Sequence, residues 1–471
     1  MQVFRYSGPE FSPYDEGRAP EVDDGRWVAP RAAGPLRASL SLPGSKSLTN
    51  RELVLSALAS EPSTLRLPLH SRDTDLMVQA LRSLGVRIDE IPNDEPFGPD
   101  LLVTPSDLAG GTSIDCGLAG TVMRFLPPLA ALALGPVAFD GDASARRRPM
   151  TTTVQSLRAL GVDVSDDGRG SLPFSLYGTG EVEGGEIEID ASASSQFVSG
   201  LLLSAPRFTR GLTLRHTGER LPSLPHIEMT IEVLARRGVE VESPEPGVWV
   251  VSPGAIAGRD VTIEPDLSNA APFLVAALVA GGTVSIRHWP VETTQVGADL
   301  IELLPLWGAA VSLEGDTLTV DGGPGLVGGG SLPGVDVDLS RGGELAPALV
   351  ALAALASGPS TITGIGHLRG HETDRLAALA AEITALGGSV DELDDGLHIE
   401  PSPLHAGQWR SYEDHRMATA GAIIGLAVDG VEIDDVGVTS KTLPQFVDLW
   451  DDLLGRRATA RPADIDLLGF L

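Results

Sequence analysis

The sequence predicts an α/β protein made of two similar halves, and an internal repeat is the main reason. A pattern of an amphipathic helix, a glycine and a short strand recurs along the chain. The glycines that end these helices are spaced 68 to 79 residues apart, at Gly85, Gly161, Gly238, Gly308, Gly387 and Gly455. A unit of this length holds two or more strands and about two helices, and it exceeds the usual solenoid repeat. Six units indicate three units in each half.

The repeated glycines and three apolar runs define the predicted helices. Glycine directly after a helix readily adopts the left-handed conformation of a helix end. The longest apolar runs lie near residues 125–139, 270–281 and 345–357. They are too short to cross a bilayer, or proline and glycine interrupt them. We therefore predict that they form buried core helices.

The charge of the chain limits its partners. The formal net charge is −30, which argues against nucleic acid or an anionic membrane surface as a partner. A small anionic ligand remains compatible with this charge, because a local cluster of cations can focus the electric field inside a cleft. Cys116 is the only cysteine, so an intrachain disulfide and a multi-cysteine metal site are excluded.

The first 35 residues suggest where the protein resides. Residues 1–35 are rich in proline, glycine and acidic residues and contain no apolar segment like that of a secretory signal. We predict that they form an extended or poorly ordered leader. Together with the single cysteine, this composition leads us to expect a protein of the reducing cytoplasm.

Lysine is rare in this sequence and occurs only in two short polar motifs. Of 34 basic residues only Lys46 and Lys441 are lysines. An ammonium is a compact charge whose pKa can shift, whereas a guanidinium is a planar fork that stays charged. The two lysines therefore predict ammonium chemistry at these positions. The alternative is chance retention on a surface where biased codon usage has favoured arginine.

Several predicted helix starts carry the charge that a helix start disfavours. The free N–H groups and partial positive charge of a helix N-terminus favour acidic side chains. Here basic residues lie at or near four starts, in segments 46–51, 117–124, 371–375 and 414–416. A bound anion resolves this conflict, and each start by itself could also be a plain cap with an exposed cation. Four such starts in an acidic chain predict a site for a substrate with several anionic groups.

The same segments, taken in order, resemble the 5-enolpyruvylshikimate-3-phosphate (EPSP) synthase family. The resemblance extends from about Leu36 to Leu454. It is carried by six motifs, which are Gly44-Ser45-Lys46-Ser47 with Asn50-Arg51, Ala119-Gly120-Thr121 with Met123-Arg124, Ser194-Ser195-Gln196, Glu372-Thr373-Asp374-Arg375, Asp414-His415-Arg416-Met417 and Lys441-Thr442. Six ordered motifs over most of the chain are far more specific than one glycine-rich loop.

The resemblance implies a particular version of the predicted fold. It implies two globular halves, each of three βαβαββ units in an inside-out α/β barrel, with an active-site cleft between them. The N-terminal half would span residues 45–264. The C-terminal half would be discontinuous, with residues 36–44 and 265–460, and residues 461–471 would form a tail.

The resemblance also implies a reaction, which is transfer of the enolpyruvyl group of phosphoenolpyruvate to the 5-hydroxyl of shikimate 3-phosphate with release of phosphate. No metal and no organic cofactor is expected, and we expect a monomer whose partners are these two small molecules. The implied contacts to shikimate 3-phosphate are Lys46, Ser47, Arg51, Ser194, Ser195, Gln196, Ser223, Glu344 and His371. The implied contacts to phosphoenolpyruvate are Lys46, Gly120, Arg124, Arg146, Gln196, Arg375, Arg416 and Lys441.

Four residues are predicted to act in the chemistry, namely Lys46, Glu344, Glu372 and His415. We predict Glu372 as the acid that protonates the methylene carbon of phosphoenolpyruvate and Glu344 as the base for the hydroxyl proton. Lys46 could fill either role, since burial near other cations lowers the pKa of a lysine. Each residue could instead be structural, with Glu344 as a favourable acid at a helix start, Glu372 as an acid before a cap and His415 packed between helices.

The chain departs from the family pattern at several positions. Leu118 stands where asparagine is frequent, Phe125 where proline is frequent, His371 where lysine is usual, His226 where tyrosine is usual and Glu344 where aspartate is usual. Ser144 takes the place of a loop arginine, and Arg146 is our candidate to supply that charge. Gly120 leaves room for glyphosate, which mimics phosphoenolpyruvate, so we predict sensitivity to this inhibitor.

Two other functions compete with this interpretation. UDP-N-acetylglucosamine enolpyruvyl transferases share the fold and typically use a loop cysteine. The corresponding loop here, Asp142–Arg148, has none, and Cys116 lies ahead of the Gly120 turn instead. A non-catalytic anion-binding relative would retain the arginines without needing both carboxyl groups and both lysines.

Overall fold

A computed structural model describes residues 25–456. Its strands are β1 Trp27–Val28, β2 Leu36–Leu40, β3 Ser63–Arg66, β4 Arg87–Ile91, β5 Asp100–Thr104, β6 Thr112–Asp115, β7 Leu134–Asp140, β8 Asp163–Ser165, β9 Phe174–Thr179, β10 Gly185–Ile189, β11 Leu212–His216, β12 Val241–Glu242, β13 Val248–Val251, β14 Asp260–Thr262, β15 Gly282–Arg287, β16 Ala310–Glu314, β17 Thr317–Asp321, β18 Asp336–Asp338, β19 Ser360–Thr363, β20 Ser389–Leu393, β21 Gly396–Glu400, β22 Gly407–Trp409 and β23 Val431–Ile433. Its helices are α1 Lys46–Leu58, α2 Arg72–Ser83, α3 Gly120–Ala130, α4 Thr151–Ala159, α5 Gln196–Ser204, α6 Leu224–Ala235, α7 Leu267–Ala280, α8 Leu300–Leu303, α9 Ala346–Ala354, α10 Arg375–Ala385, α11 His415–Gly425 and α12 Phe446–Leu453.

The strands form six sheets that share one pairing pattern. Three sheets have the orders β14-β3-β5-β4, β6-β7-β9-β8 and β10-β11-β13-β12, and three have the orders β16-β17-β15-β2, β18-β19-β21-β20 and β1-β23-β22. In each of them one parallel pair is extended by antiparallel pairing. The predicted α/β class with three units in each half is confirmed, and five sheets have the four strands of a βαβαββ unit.

The sixth sheet is completed by the N-terminal part of the chain. The last unit contributes only β22 and β23, and β1 pairs antiparallel with β23 in the position that a later strand fills in the other units. Ala29 and Ala32 are buried beside it. Residues 25–35 thus pack on the C-terminal half and do not stand apart as a leader. The leader prediction for residues 1–24 and the tail prediction for residues 461–471 fall outside the described residues.

The backbone conformation explains why the predicted helices end at glycine. All six glycines have positive φ angles, which are 98° at Gly85, 85° at Gly161, 80° at Gly238, 93° at Gly308, 93° at Gly387 and 63° at Gly455. At Gly161, Gly238, Gly308 and Gly455 an added Cβ would meet no atom within 4 Å. The left-handed conformation itself, and not lack of space, is therefore the reason for glycine at these four ends.

Two hydrophobic cores hold the molecule, one in each half. The three predicted core helices are α3, α7 and α9, and nearly every residue in them is buried. Across residues 25–456, no helix is long and apolar enough to cross a membrane. The prediction that the apolar runs form buried core helices is confirmed for the runs near 270–281 and 345–357. The run near 125–139 is a buried helix only as far as Ala130 and continues as strand β7, which begins at Leu134 with 70% of that residue exposed.

The chain crosses between the halves at two adjacent points. The Ser45 N–H donates to the Glu264 carbonyl at 2.7 Å, and the Asp266 N–H donates to the Pro43 carbonyl at 3.0 Å. An added Cβ on Gly44 would lie 2.3 Å from the Leu67 carbonyl oxygen, so only glycine fits there. We propose these crossings as the boundaries between residues 45–264 and the segments 36–44 and 265–456. Helices α1 and α7 start directly after them, at the cleft between the halves.

Candidate active site

One cavity between the two halves is lined by the starts of many helices. Its walls include Lys46 of α1, Gly120 of α3, Gln196 of α5, Ser268 of α7, Arg375 of α10 and His415 of α11. Glu344 lies in the turn that leads into α9. Each helix start directs unpaired N–H groups and a partial positive charge toward the cavity. This placement agrees with the prediction that the basic helix starts converge on one site.

Cations from both halves surround the cavity. Arg124 and Arg148 come from the N-terminal half, Arg375 and Arg416 come from the C-terminal half, and Lys46 lies at the crossing. Burial, followed by the charge of a neighbouring arginine, lowers the pKa of Arg124 and of Arg416. This direction shows that the cations are crowded and poorly hydrated, so a bound anion would be strongly stabilised.

Many buried polar atoms of the cavity wall lack a hydrogen-bond partner within residues 25–456. They are Arg124 Nε, Arg148 Nε, Gln196 Oε1, His367 Nε2, His415 Nδ1 and His415 Nε2. Buried polar atoms are almost always paired in folded proteins. Six unpaired atoms around one cavity, with both donors and acceptors among them, indicate a site prepared for a polar ligand.

Glu372 lies between two cations at the bottom of the cavity. Lys441 Nζ donates to Glu372 Oε1 at 2.5 Å, and Arg375 donates to Glu372 Oε2 at 3.0 Å. Burial by itself would raise the pKa of Glu372, but the charges of Lys441, Arg375 and Arg148 outweigh it, and the pKa lies well below its usual range. Glu372 is thus ionised here, which differs from the protonated acid that we predicted from the sequence.

Glu344 faces the cavity from the C-terminal half. Its Oε1 accepts a hydrogen bond from His226 Nε2 at 2.8 Å. Burial would raise its pKa, but the charge and hydrogen bond of His226 and the charge of Arg416 hold the pKa below its usual range. Glu344 is therefore a carboxylate, the form that a proton acceptor requires.

The two lysines occupy different positions in the site. Lys46 lines the cavity, and its Nζ lies 3.5 Å from Asp73 Oδ2. Lys441 lies behind Glu372 and also donates to the Leu118 carbonyl of the opposite half at 3.3 Å. Burial lowers the pKa of Lys441, and the Glu372 charge opposes this effect. Asp73 was missed by the sequence analysis, since an acidic residue at the start of α2 is also an ordinary feature of a helix.

Arg146, which we predicted as a site residue, does not line the cavity, whereas Arg148, for which no role was predicted, does. Arg146 is exposed and forms a bidentate pair with Asp140, with distances of 2.8 and 2.7 Å. Arg148 is buried, lines the cavity and donates to the Leu118 carbonyl at 3.3 Å. The short helical turn Ala145–Arg147 aims consecutive arginines in different directions. We therefore replace Arg146 by Arg148 in the proposed set of anion-binding residues.

Arg51 supports the cavity from behind and does not line it. Its guanidinium donates to Thr230, to the Ser47 carbonyl and to the His226 carbonyl, at 2.8, 2.9 and 2.8 Å. It also lies 5.2 Å from the centre of the Phe125 ring. Phe125, one of the departures from the family pattern, therefore packs against Arg51 behind the cavity wall.

The remaining predicted residues line the cavity. They are Ser47, Ser194, Ser195, Gln196, Ser223 and His371, together with His415. Arg375 donates to His371 Nδ1 at 3.4 Å, so this nitrogen is the acceptor and Nε2 carries the proton. Burial, then nearby cations, lowers the pKa of His371 and of His415 well below the usual range, so both rings are neutral.

The turn before α11 fixes the buried ion pair between Asp414 and Arg375. Tyr412 and Glu413 have φ angles of 55° and 57°, which are uncommon for residues other than glycine. They place Asp414 at the start of α11, where it accepts from Arg375 at 2.7 and 3.1 Å. Tyr412 in turn donates to Glu382 at 2.5 Å. The strained turn thus holds the guanidinium of Arg375 at the cavity.

Comparisons with known proteins agree with this architecture. A sequence model of the EPSP synthase (3-phosphoshikimate 1-carboxyvinyltransferase) family matches residues 30–450. A 3-phosphoshikimate 1-carboxyvinyltransferase from Kocuria rhizophila is 56% identical over 440 residues, which cover 92% of this chain and 98% of that protein.

Two solved structures share the fold. EPSP synthase from Acinetobacter baumannii has a TM-score of 0.73 at 23% identity, covering 91% of this chain and 98% of that one. The enolpyruvyl transferase NikO from Streptomyces tendae has a TM-score of 0.71 at 19% identity, covering 92% and 97%. The family match and the Kocuria relative place this chain among the enolpyruvyl transferases. The chain belongs to the EPSP synthase family.

Proposed function

We propose that this chain is a 3-phosphoshikimate 1-carboxyvinyltransferase. It transfers the enolpyruvyl group of phosphoenolpyruvate to the 5-hydroxyl of shikimate 3-phosphate and releases phosphate, a step in the biosynthesis of chorismate and the aromatic amino acids. Family membership and the relative of 56% identity support this reaction. The observation that carries the proposal is that Glu344, Glu372 and Lys46 line one cationic cleft, with Lys441 directly behind Glu372.

The cations define the position of phosphoenolpyruvate. Its carboxylate and phosphate need several donors, which Arg124, Arg148, Arg375, Arg416 and Lys441 can supply. An added Cβ on Gly120 would lie 3.0 Å from the Arg124 guanidinium, so the absence of a side chain keeps this side of the cavity open. We propose that phosphoenolpyruvate binds between the start of α3 and Glu372.

Hydroxyl groups and the uncharged imidazole of His371 define the position of shikimate 3-phosphate. Ser47, Ser194, Ser195 and Ser223 lie on the part of the cavity formed by the N-terminal half. Their hydroxyls, with the N–H groups at the start of α5, suit the phosphate oxygens. Gln196 lies near both regions, since its Oε1 would be 3.0 Å from an added Cβ on Gly120. It can bridge the two substrates.

Glu372 and Glu344 carry the proposed proton transfers. The phosphoenolpyruvate anion pairs with Lys441 and Arg375, so these cations no longer stabilise the Glu372 carboxylate. The pKa of Glu372 therefore rises, and the residue can bind a proton. Glu372 gives that proton to the methylene carbon, the 5-hydroxyl oxygen bonds to C2, and Glu344 takes the hydroxyl proton. In the elimination step Glu372 takes a proton back from the new methyl group, and the bond from C2 to phosphate breaks. Cations of the cleft stabilise the charge of the departing phosphate.

The groups at the cavity disfavour both competing functions. Cys116 is fully buried, and its burial raises the pKa of the thiol, so it is not available as an acid or a nucleophile. The loop Asp142–Arg148 offers no cysteine in its place. A protein that only binds anions would not require Glu344 and Glu372, which both lie at the cavity wall.

The location and assembly state of the protein form a further part of the proposal. The single buried cysteine suits the reducing cytoplasm. Every group assigned above comes from one chain, so a monomer has a complete site. Size-exclusion chromatography with light scattering would test the assembly state, and a stable dimer at micromolar concentration would contradict it.

Binding and turnover together test the proposed function. We expect shikimate 3-phosphate to bind the purified protein, and we expect mass spectrometry to detect the enolpyruvyl ether after phosphoenolpyruvate is added. Glu372→Ala should keep binding of shikimate 3-phosphate and lose turnover by roughly 10²- to 10⁴-fold, the usual contribution of a general acid. Unchanged turnover in this variant would support a different chemistry.

A further inference from the structure

A histidine and a glutamate touch each other across the cleft. His226 belongs to α6 of the N-terminal half, and Glu344 precedes α9 of the C-terminal half. Their side chains are hydrogen bonded at 2.8 Å and are 22% and 12% exposed. The two side chains therefore form one structural unit across the cleft.

The backbone around His226 is anchored more firmly than a surface residue needs. Its carbonyl accepts from the Arg51 guanidinium at 2.8 Å and from the Thr230 hydroxyl at 2.9 Å. Ser223, three residues earlier, has a φ angle of 52°, and its N–H donates to the Ser340 carbonyl across the cleft at 3.3 Å. The imidazole is thus held at a defined distance from the opposite half.

The lengths of the two side chains are matched to this contact. Shortening Glu344 to aspartate removes one methylene group and would draw the carboxylate away from the imidazole. Lengthening His226 to tyrosine would push the donor into the carboxylate. The two changes made together would span a similar gap, whereas either change alone would lose the hydrogen-bond distance.

We propose that His226 is a positioning residue for Glu344 and that the two side chains act as a pair matched in length. The hydrogen bond from His226 Nε2 fixes Glu344 Oε1, so Glu344 Oε2 is left to accept the 5-hydroxyl proton. Because the partners lie in different halves, the base is aligned only when the cleft is closed. This inference rests on the proposed function, since it assigns a partner to the proposed base.

Other contacts across the cleft provide a control for closure. Arg220 pairs with Asp395 at 3.2 Å, is 77% exposed and does not contact Glu344. Arg220→Gln removes a contact between the halves and leaves the base untouched. Exposed ion pairs contribute little, so we expect turnover within about twofold of the wild type.

A double-mutant cycle tests the pair. His226→Tyr, Glu344→Asp and the double variant would be compared with the wild type for kcat, for KM of both substrates and for calorimetric binding of shikimate 3-phosphate. Each single change should lower kcat by roughly 10- to 100-fold, and the double variant should recover most of that loss, as expected of coupled neighbours. Binding of shikimate 3-phosphate should change far less than kcat and would show that each variant is folded.

A second comparison separates positioning from packing. His226→Gln keeps an N–H donor and should retain more kcat than His226→Phe, which fills the space without donating. Losses that multiply in the double variant, or equal kcat in the Gln and Phe variants, would overturn the inference while leaving the function intact. A loss in Arg220→Gln as large as in His226→Phe would assign the pair to closure alone and overturn it. Absence of wild-type turnover would instead overturn the proposed function, and this inference with it.

Discussion

Lys441 Nζ lies 2.5 Å from Glu372 Oε1, so a carboxylate of the protein pairs with a cation that is expected to bind the substrate. Arg375 completes this arrangement at the second oxygen. A charge buried among opposite charges is stable only while they face it. Substrate binding and the protonation state of Glu372 should therefore be linked.

The first prediction is that phosphoenolpyruvate binding takes up a proton at Glu372. The pKa of Glu372 lies well below its usual range in the free site and rises when the substrate anion draws Lys441 and Arg375 away. A group whose pKa rises on binding takes up protons, so uptake should increase as the pH falls from 8 to 6. Titration calorimetry of phosphoenolpyruvate in buffers of different ionisation enthalpy, with no acceptor present so that no turnover occurs, measures this uptake.

Glu372→Gln is the matched control for that experiment. It cannot titrate, whereas the protonation of phosphoenolpyruvate itself is the same in both proteins. The difference between the two proteins thus isolates Glu372. Equal proton uptake in both would contradict the link between substrate binding and this carboxyl.

The second prediction concerns two neighbouring arginines with different environments. Arg148→Gln should raise KM for phosphoenolpyruvate by roughly 10- to 100-fold, since a charge-assisted hydrogen bond is worth about 1.5–3 kcal/mol. Arg146→Gln should leave KM nearly unchanged, because Arg146 is exposed and pairs with Asp140. Steady-state kinetics of both variants tests the assignment, and the reverse ranking would restore Arg146 to the site.

The third prediction concerns Gly120 and glyphosate. An added Cβ would lie 3.0 Å from both Arg124 Nη1 and Gln196 Oε1, and 3.3 Å from Arg148 Nη1. We expect the wild type to be inhibited by glyphosate in competition with phosphoenolpyruvate. Gly120→Ala should weaken both ligands, because the methyl group enters the space between the cations. Leu118 and Phe125 do not line the cavity, so they leave this prediction unchanged. Absence of inhibition at millimolar glyphosate and low phosphoenolpyruvate would refute it.

The fourth prediction is that arginine cannot replace either lysine. Lys441 is 4% exposed, and its ammonium contacts both Glu372 and the Leu118 carbonyl, an arrangement that a longer, planar guanidinium does not reproduce. Lys441→Arg and Lys46→Arg should each lower kcat/KM by roughly 10²-fold or more, although charge is retained. Arg37→Lys, an exposed change of the same kind, is the control. Near-normal kcat/KM in either lysine variant would mean that charge alone is needed there.

Features repeated along the chain could be predicted from the sequence. The six glycines specified the helix ends because a left-handed residue is a local requirement. The basic helix starts indicated the site because each conflicts with its own helix dipole. Both signals are contained within short segments.

Features that depend on contacts between distant segments could not be predicted. Nothing in the segment 144–148 shows which arginine turns inward, since the short helical turn decides it. The contact of His226 with Glu344 joins residues 118 positions apart. The charge state of Glu372 depends on Lys441, which lies 69 positions away. The sequence therefore indicated the participants more fully than their arrangement.

Phosphate release with two alternative acceptors tests the central claim most directly. Purified protein would be mixed with phosphoenolpyruvate and either shikimate 3-phosphate or UDP-N-acetylglucosamine, and released phosphate would be followed over time. We predict release only with shikimate 3-phosphate and its loss in Glu372→Gln. Release with UDP-N-acetylglucosamine, or no release with either acceptor despite saturable binding of shikimate 3-phosphate, would contradict the proposed reaction.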